Sequence, residues 1–195
     1  MTAVLPKMAT ALGFAALLGG CVMSTDAVIA DSVATLDDRL LGTWKETDGG
    51  DSAVVTRDSG SAYVIAYSSA LGTGTFAGRL GRLGKRLVMD FSPTPRKGEL
   101  PQAYANYLLP VHVLLTVEFD HDSLRIATLD CDSLRAALQA GRVRLGYGET
   151  RNRVMLHATG EEFRSEISAY LERPGSLTQQ ATWRRVHAST VSGGP

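Results

Sequence analysis

From residue 52 onward the chain is a succession of short β-prone runs divided by tight-turn residues. That pattern restricts the fold more than any other feature. Runs at 52–57 and 62–67 flank Asp58-Ser59-Gly60, and runs at 75–80 and 86–91 flank a Gly- and Lys-bearing turn at 81–85. The run at 111–119 alternates. Val111, Val113, Leu115, Val117 and Phe119 share one face, and His112, Leu114, Thr116 and Glu118 share the other. A run at 123–129 follows across Asp120-His121-Asp122. Runs at 143–147 and 153–157 pair across 148–152, and 181–186 gives a last short strand. About eight to ten short strands joined mainly by tight turns predict a mainly β (α+β) fold, a curved antiparallel sheet or a closed barrel.

Three helical stretches interrupt the strands. A short one at 102–108 is stopped by Pro110. The next, at 132–140, is capped by Asp130 or Asp132 and ended by Gly141. A C-terminal amphipathic helix over 160–172 has the clearest signals. Thr159 and Glu162 form a T-x-x-E capping box, Phe163, Ile167, Tyr170 and Leu171 make one apolar stripe, and Pro174-Gly175 ends it.

Ahead of the strands, Asp37 and Asp38 open a short helical turn that leads into Gly42-Thr43-Trp44. This placement resembles the G-x-W motif on the first strand of lipocalins. The resemblance implies an up-and-down barrel whose closed end is plugged by Trp44. It also implies an arginine from a late strand, Arg184 or Arg185, packed over the indole as a cation–π contact. Without it, the same strands suit an open sheet packed by the 160–172 helix, with Trp44 an ordinary core residue.

The N-terminal residues speak to placement. Lys7 precedes an apolar stretch over 8–18, and Leu18-Gly19-Gly20-Cys21 closes it. The stretch has the length of a secretory h-region and is too short to span a bilayer. The ending resembles the lipobox of bacterial lipoproteins. That resemblance implies cleavage before Cys21, palmitate and related acyl chains on it, and a stable membrane anchor. Val22, in place of the Asp that often retains such proteins at the inner membrane, favours the outer membrane facing the periplasm. The expected organisation is a signal peptide at 1–20, a lipidated Cys21 with a tether to residue 35, one β-rich domain over 36–187 and a disordered tail at 188–195. A flexible tether of that length typically spans about 20 Å.

Without Lys7, 19 basic residues face 20 acidic ones, a formal charge of −1. No field of that size selects nucleic acid. With Cys21 acylated, Cys131 is the remaining thiol and is expected to be buried and inert. The four histidines never fall at metal-ligand spacing, and no G-x-S-x-G elbow or helix-opening phosphate loop occurs. Neither a metal, a cofactor nor catalysis is therefore expected. Arg79, Arg82, Lys85 and Arg86 make a local basic cluster, read as a charged hairpin edge or a headgroup contact. If the His112 face is interior, His112 with Tyr104 and Tyr107 would orient a ligand's polar end. The chain therefore reads as a lipid-anchored envelope module that binds a small or apolar ligand. The alternative is an envelope assembly accessory that binds a protein partner and has no cavity.

Overall fold

The computed structural model describes residues 21–94, 111–150, 152–157, 160–178 and 180–187. Its main body is built from β2 (Gly42–Glu46), β3 (Ser52–Arg57), β4 (Ala62–Ser69), β5 (Gly72–Leu83), β6 (Arg86–Pro93), β7 (Val113–Asp120), β8 (Ser123–Thr128) and β11 (Ala181–Arg185). These eight strands form a closed antiparallel barrel in the order β11-β2-β3-β4-β5-β6-β7-β8, consistent with a lipocalin-like barrel. Closure comes from β11, which sets Trp183 opposite Leu124 of β8 on one side and Glu46 of β2 on the other. Every barrel strand thus has two neighbours and no edge is left to recruit another chain.

Alternation decides which residues fill the inside. Val113, Leu115 and Val117 of β7 point inward with Met89 and Phe91 of β6 and Ile65 of β4. Leu114 and Val88, one step out of phase, face outward into a second core. That outer core lies between the barrel wall and a layer made by α1 (Cys131–Gln139), α2 (Gly160–Leu171) and a small sheet. The sheet joins β1 (Val22–Ser24), β10 (Arg153–Leu156) and β9 (Tyr147–Thr150) in the order β1-β10-β9, with β1 parallel to β10.

The helices follow their sequence signals. Asp130 caps α1 by accepting the Ser133 N–H at 2.9 Å. In α2 the stripe of Phe163, Ile167, Tyr170 and Leu171 is buried throughout. Thr159 of the expected capping box, the helix expected at 102–108 and the tail from 188 lie outside the described residues. The strand expected at 143–147 begins only at Tyr147. Val143 and Leu145 are buried in the outer core from irregular chain instead.

The expected tether is corrected most clearly. Residues 22–35 are not a free linker. Val22 pairs with Val154, and Val28 and Ile29 are 3% and 1% exposed. Ser24 and His112 exchange both backbone hydrogen bonds, at 2.8 and 2.9 Å. The Val28 and Ile29 N–H groups donate to Asp90 Oδ2 at 2.7 and 3.1 Å. Apolar side chains in this segment have no helical or strand period. Val22, Val28 and Ile29 are ordered because the outer core offers each a separate place, while Met23 packs with the barrel interior.

Candidate functional site

The barrel interior is the candidate site, and its floor is set by the G-x-W segment. Trp44 is 1% exposed and donates its Nε1–H to the Leu40 carbonyl at 2.8 Å. Leu40 closes a 3₁₀ turn, Asp38–Leu40, whose cap Asp37 accepts the Arg39 N–H. The Arg185 guanidinium lies 4.4 Å from the Trp44 ring centroid. It also donates from Nη1 to the Leu41 carbonyl and from Nη2 to the Arg39 carbonyl, the latter at 2.6 Å. Of the two arginines the resemblance nominated, Arg185 makes the contact. Arg184 is exposed, because adjacent residues of a strand face opposite ways. Gly42 has φ +121°, and a Cβ there would stand 2.9 Å from Arg185 Nη1. The glycine of the motif is therefore required twice, by its backbone and by the guanidinium beside it.

Above this floor the walls are apolar. Val55, Ile65, Met89, Leu115, Val117 and Leu124 face a void of about 70 Å³ with no polar atom on its surface. This is far below the 300–1,000 Å³ typical of drug-sized pockets, and about half the 150 Å³ of an apolar cavity that takes up benzene. Met89, the most adaptable of the lining side chains, lets the width adjust.

Aromatic rings gather toward the other end. Phe76 stacks on Phe91 at 4.2 Å, and Tyr67 meets Phe76 edge-on at 6.3 Å and Trp183 at 6.4 Å. At that end the β2–β3 hairpin brings in Glu46 and Asp51, 5% and 8% exposed. The Tyr67 hydroxyl donates to Asp51 Oδ2. Burial pushes the Glu46 carboxyl above its ordinary range, and the negative charges of Asp51 and Asp48 add to this. Burial, with Asp51 beside it, also pushes the Tyr67 phenol far up, so it stays a donor at any ordinary pH. Trp183 is 4% exposed, and its Nε1–H has no partner among the described residues.

The sequence-predicted polar trio is not assembled in the lumen. His112 stands out of phase with Val113, so it faces the outer core. Its Nδ1 lies 2.7 Å from Asp90 Oδ1, and the void beside it is about 10 Å³, room for one water at most. Among the described residues no hydroxyl or thiol is hydrogen-bonded to this imidazole. Tyr104 and Tyr107 lie outside the described residues. The polar groups that meet beside the β2–β3 hairpin, Glu46, Asp51, Tyr67 and Trp183, were missed. Two signals for them were available: the parity of β2, which puts residue 46 on the side of Trp44, and the acidic run Glu46-Thr47-Asp48-Gly49-Gly50-Asp51.

Cys21 sits at the edge of the small sheet, where its carbonyl accepts the Val154 N–H at 2.6 Å. Cys131, expected to be buried, is only half-buried and lies beside it, its Sγ 3.5 Å from the Cys21 carbonyl. Burial first, and the neighbouring Cys131 thiol second, push an unmodified Cys21 thiol up to about 12. The basic cluster divides: Arg79 pairs with Asp31, and Arg86 pairs with Glu118 at 3.4 Å. Among the described residues no three His, Cys, Asp or Glu converge as a metal site, and no helix is long and apolar enough to cross a membrane. No protein-family model, curated protein or solved structure matches the chain.

Proposed function

We propose that this chain is a membrane-anchored lipoprotein of the bacterial envelope whose barrel is a non-catalytic binding module for a small apolar ligand. The carrying observation is the lumen. It is closed at one end by Trp44 under Arg185, walled by aliphatic side chains, and not filled by them. A wholly apolar void keeps water out at a cost, and an apolar guest recovers that cost by burying its own surface. Reaction chemistry finds no support, since His112 and Asp90 are taken up in holding the N-terminal segment.

The anchor rests on Leu18-Gly19-Gly20-Cys21 and on where Cys21 lies. The fold takes up the chain at Val22, so an acylated Cys21 would hold the body directly against the bilayer, with no tether between. Two measurements test the reading. The full chain expressed in a bacterium should take up radiolabelled palmitate and sediment with membranes, and Cys21→Ser should release it to the soluble fraction. The released protein should bind an environment-sensitive apolar dye and give it up to octanol. Membrane retention of Cys21→Ser without palmitate uptake by the parent rejects the anchor, and no dye binding rejects the lumen.

A further inference from the structure

We propose that the cleft between α1 and the C-terminal end of α2 is a second site, outside the barrel, that holds a phosphomonoester between Arg142 and Arg173. It goes beyond the lumen and the anchor and depends on neither.

Each helix end delivers one arginine to this cleft. α1 stops at Gln139, Gly141 turns the chain at φ +66°, and Arg142 follows at once. Arg173 stands two residues past Leu171, where α2 stops. Ser133 and Ala136 of α1, Tyr170 of α2 and Pro174 complete the wall around about 660 Å³, against about 70 Å³ in the lumen. A space of that size lies within the roughly 300–1,000 Å³ of small-molecule sites.

Arginines near helix C-termini often serve the last carbonyls. Here those carbonyls are met without guanidinium help. Ala137 accepts the Arg142 backbone N–H at 2.9 Å and Leu138 accepts that of Gly141 at 3.0 Å. Tyr170 accepts the Arg173 backbone N–H at 3.0 Å, and Leu171 accepts Ser176 Oγ–H at 3.1 Å. Arg173 Nη2 donates to the Arg142 carbonyl at 2.9 Å, which holds its side chain at the cleft. Among the described residues no carboxylate is ion-paired to either arginine.

Tyr170 gives an independent sign. It is 2% exposed, and its hydroxyl has no hydrogen-bond partner among the described residues. Burial first and Asp130 second push this phenol up to about 12, while Arg173 and Arg142 pull it down, so both guanidinium fields reach the same part of the wall. Asp130 itself is engaged in capping α1 and does not line the cleft. Two guanidiniums without counter-charge suit a dianion, and each fork matches two phosphate oxygens. A phosphomonoester carries close to two negative charges at neutral pH. The space exceeds what a bare ion needs, and Ala136 and Pro174 offer a surface for a small organic body. Such a group comes from a free phosphomonoester or from a lipid headgroup.

The full chain carrying Cys21→Ser is titrated calorimetrically with glycerol 3-phosphate and with glycerate. It is also floated with vesicles of phosphatidylcholine, alone or in equal parts with phosphatidic acid. Arg142→Gln and Arg173→Gln should each weaken phosphate binding about tenfold, as loss of a charge-assisted hydrogen bond predicts. Lys85→Gln, which removes an exposed cation outside the cleft, should change nothing. Glycerol 3-phosphate binding at least about tenfold tighter than glycerate assigns a free phosphomonoester. Flotation only with phosphatidic acid, lost in both arginine variants and without binding in solution, assigns a lipid headgroup. Glycerate binding as tightly as the phosphate, an equal loss in Lys85→Gln, or binding in neither arm overturns the proposal and leaves the lumen and the anchor standing.

Discussion

Replacing Asp90 with alanine should release the N-terminal segment from the barrel. Asp90 is 2% exposed on the outward face of β6, and three donors converge on its carboxylate. The Val28 and Ile29 N–H groups meet Oδ2, and His112 Nδ1 meets Oδ1. Each hydrogen bond to a charged acceptor is worth about 1.5–3 kcal/mol, and the orphaned N–H groups would be left buried. The contributions overlap, so a net loss of about 3–5 kcal/mol is expected, the range for stripping one partner from a buried charged cluster. For a chain of this size each kcal/mol moves Tm by about 2–4 °C, so the midpoint should fall by roughly 10 °C. Asp90→Asn keeps one acceptor oxygen and should lose less. Thermal unfolding followed by circular dichroism gives the size of the loss. Amide hydrogen exchange at Val28 and Ile29 gives its location, and both should lose protection before the barrel strands do. A drop of under about 2 °C, or unchanged protection at those two amides, would refute the claim that this carboxylate ties the segment down.

Further outcomes follow from the same geometry. Gly42→Ala must strain a positive φ and displace Arg185, so a loss of about 1–3 kcal/mol is expected in urea unfolding, together with a change in Trp44 fluorescence. Ile167→Ala empties a fully buried position in the outer core and should cost about 2–5 kcal/mol, read from the denaturant midpoint. Glu46→Gln should stabilise the unliganded protein near neutral pH. The raised folded-state pKa means that stability is lost as pH climbs from the ordinary glutamate value near 4.5 through the folded one. The gain should therefore vanish at pH 4, and a gain independent of pH would contradict the assignment.

Much of the barrel was legible in the chain because its strands announce themselves locally. Alternation in 111–119, turn residues at 58–60 and 120–122, and the apolar stripe of 160–172 each depend on neighbours a few residues away. The Gly42-Thr43-Trp44 segment was legible for the same reason, as its glycine answers to its own backbone and its tryptophan to Leu40 four residues before. The choice of Arg185 over Arg184 needed the strand's phase, which two adjacent arginines do not reveal.

What the amino-acid order determined by itself was the mainly β class, the helix stripe and the positions of most turns, all set by short-range periodicity and turn chemistry. Only the tertiary structure decided that eight strands close, that the even face of β7 looks away from the lumen, and that His112 therefore serves Asp90. It also decided that residues 22–35 are packed, since their partners at 80, 90, 112 and 154 lie dozens of residues away. Such contacts leave no period in the sequence. They arise because burying scattered apolar side chains against an outer barrel wall outweighs the entropy of leaving the segment free.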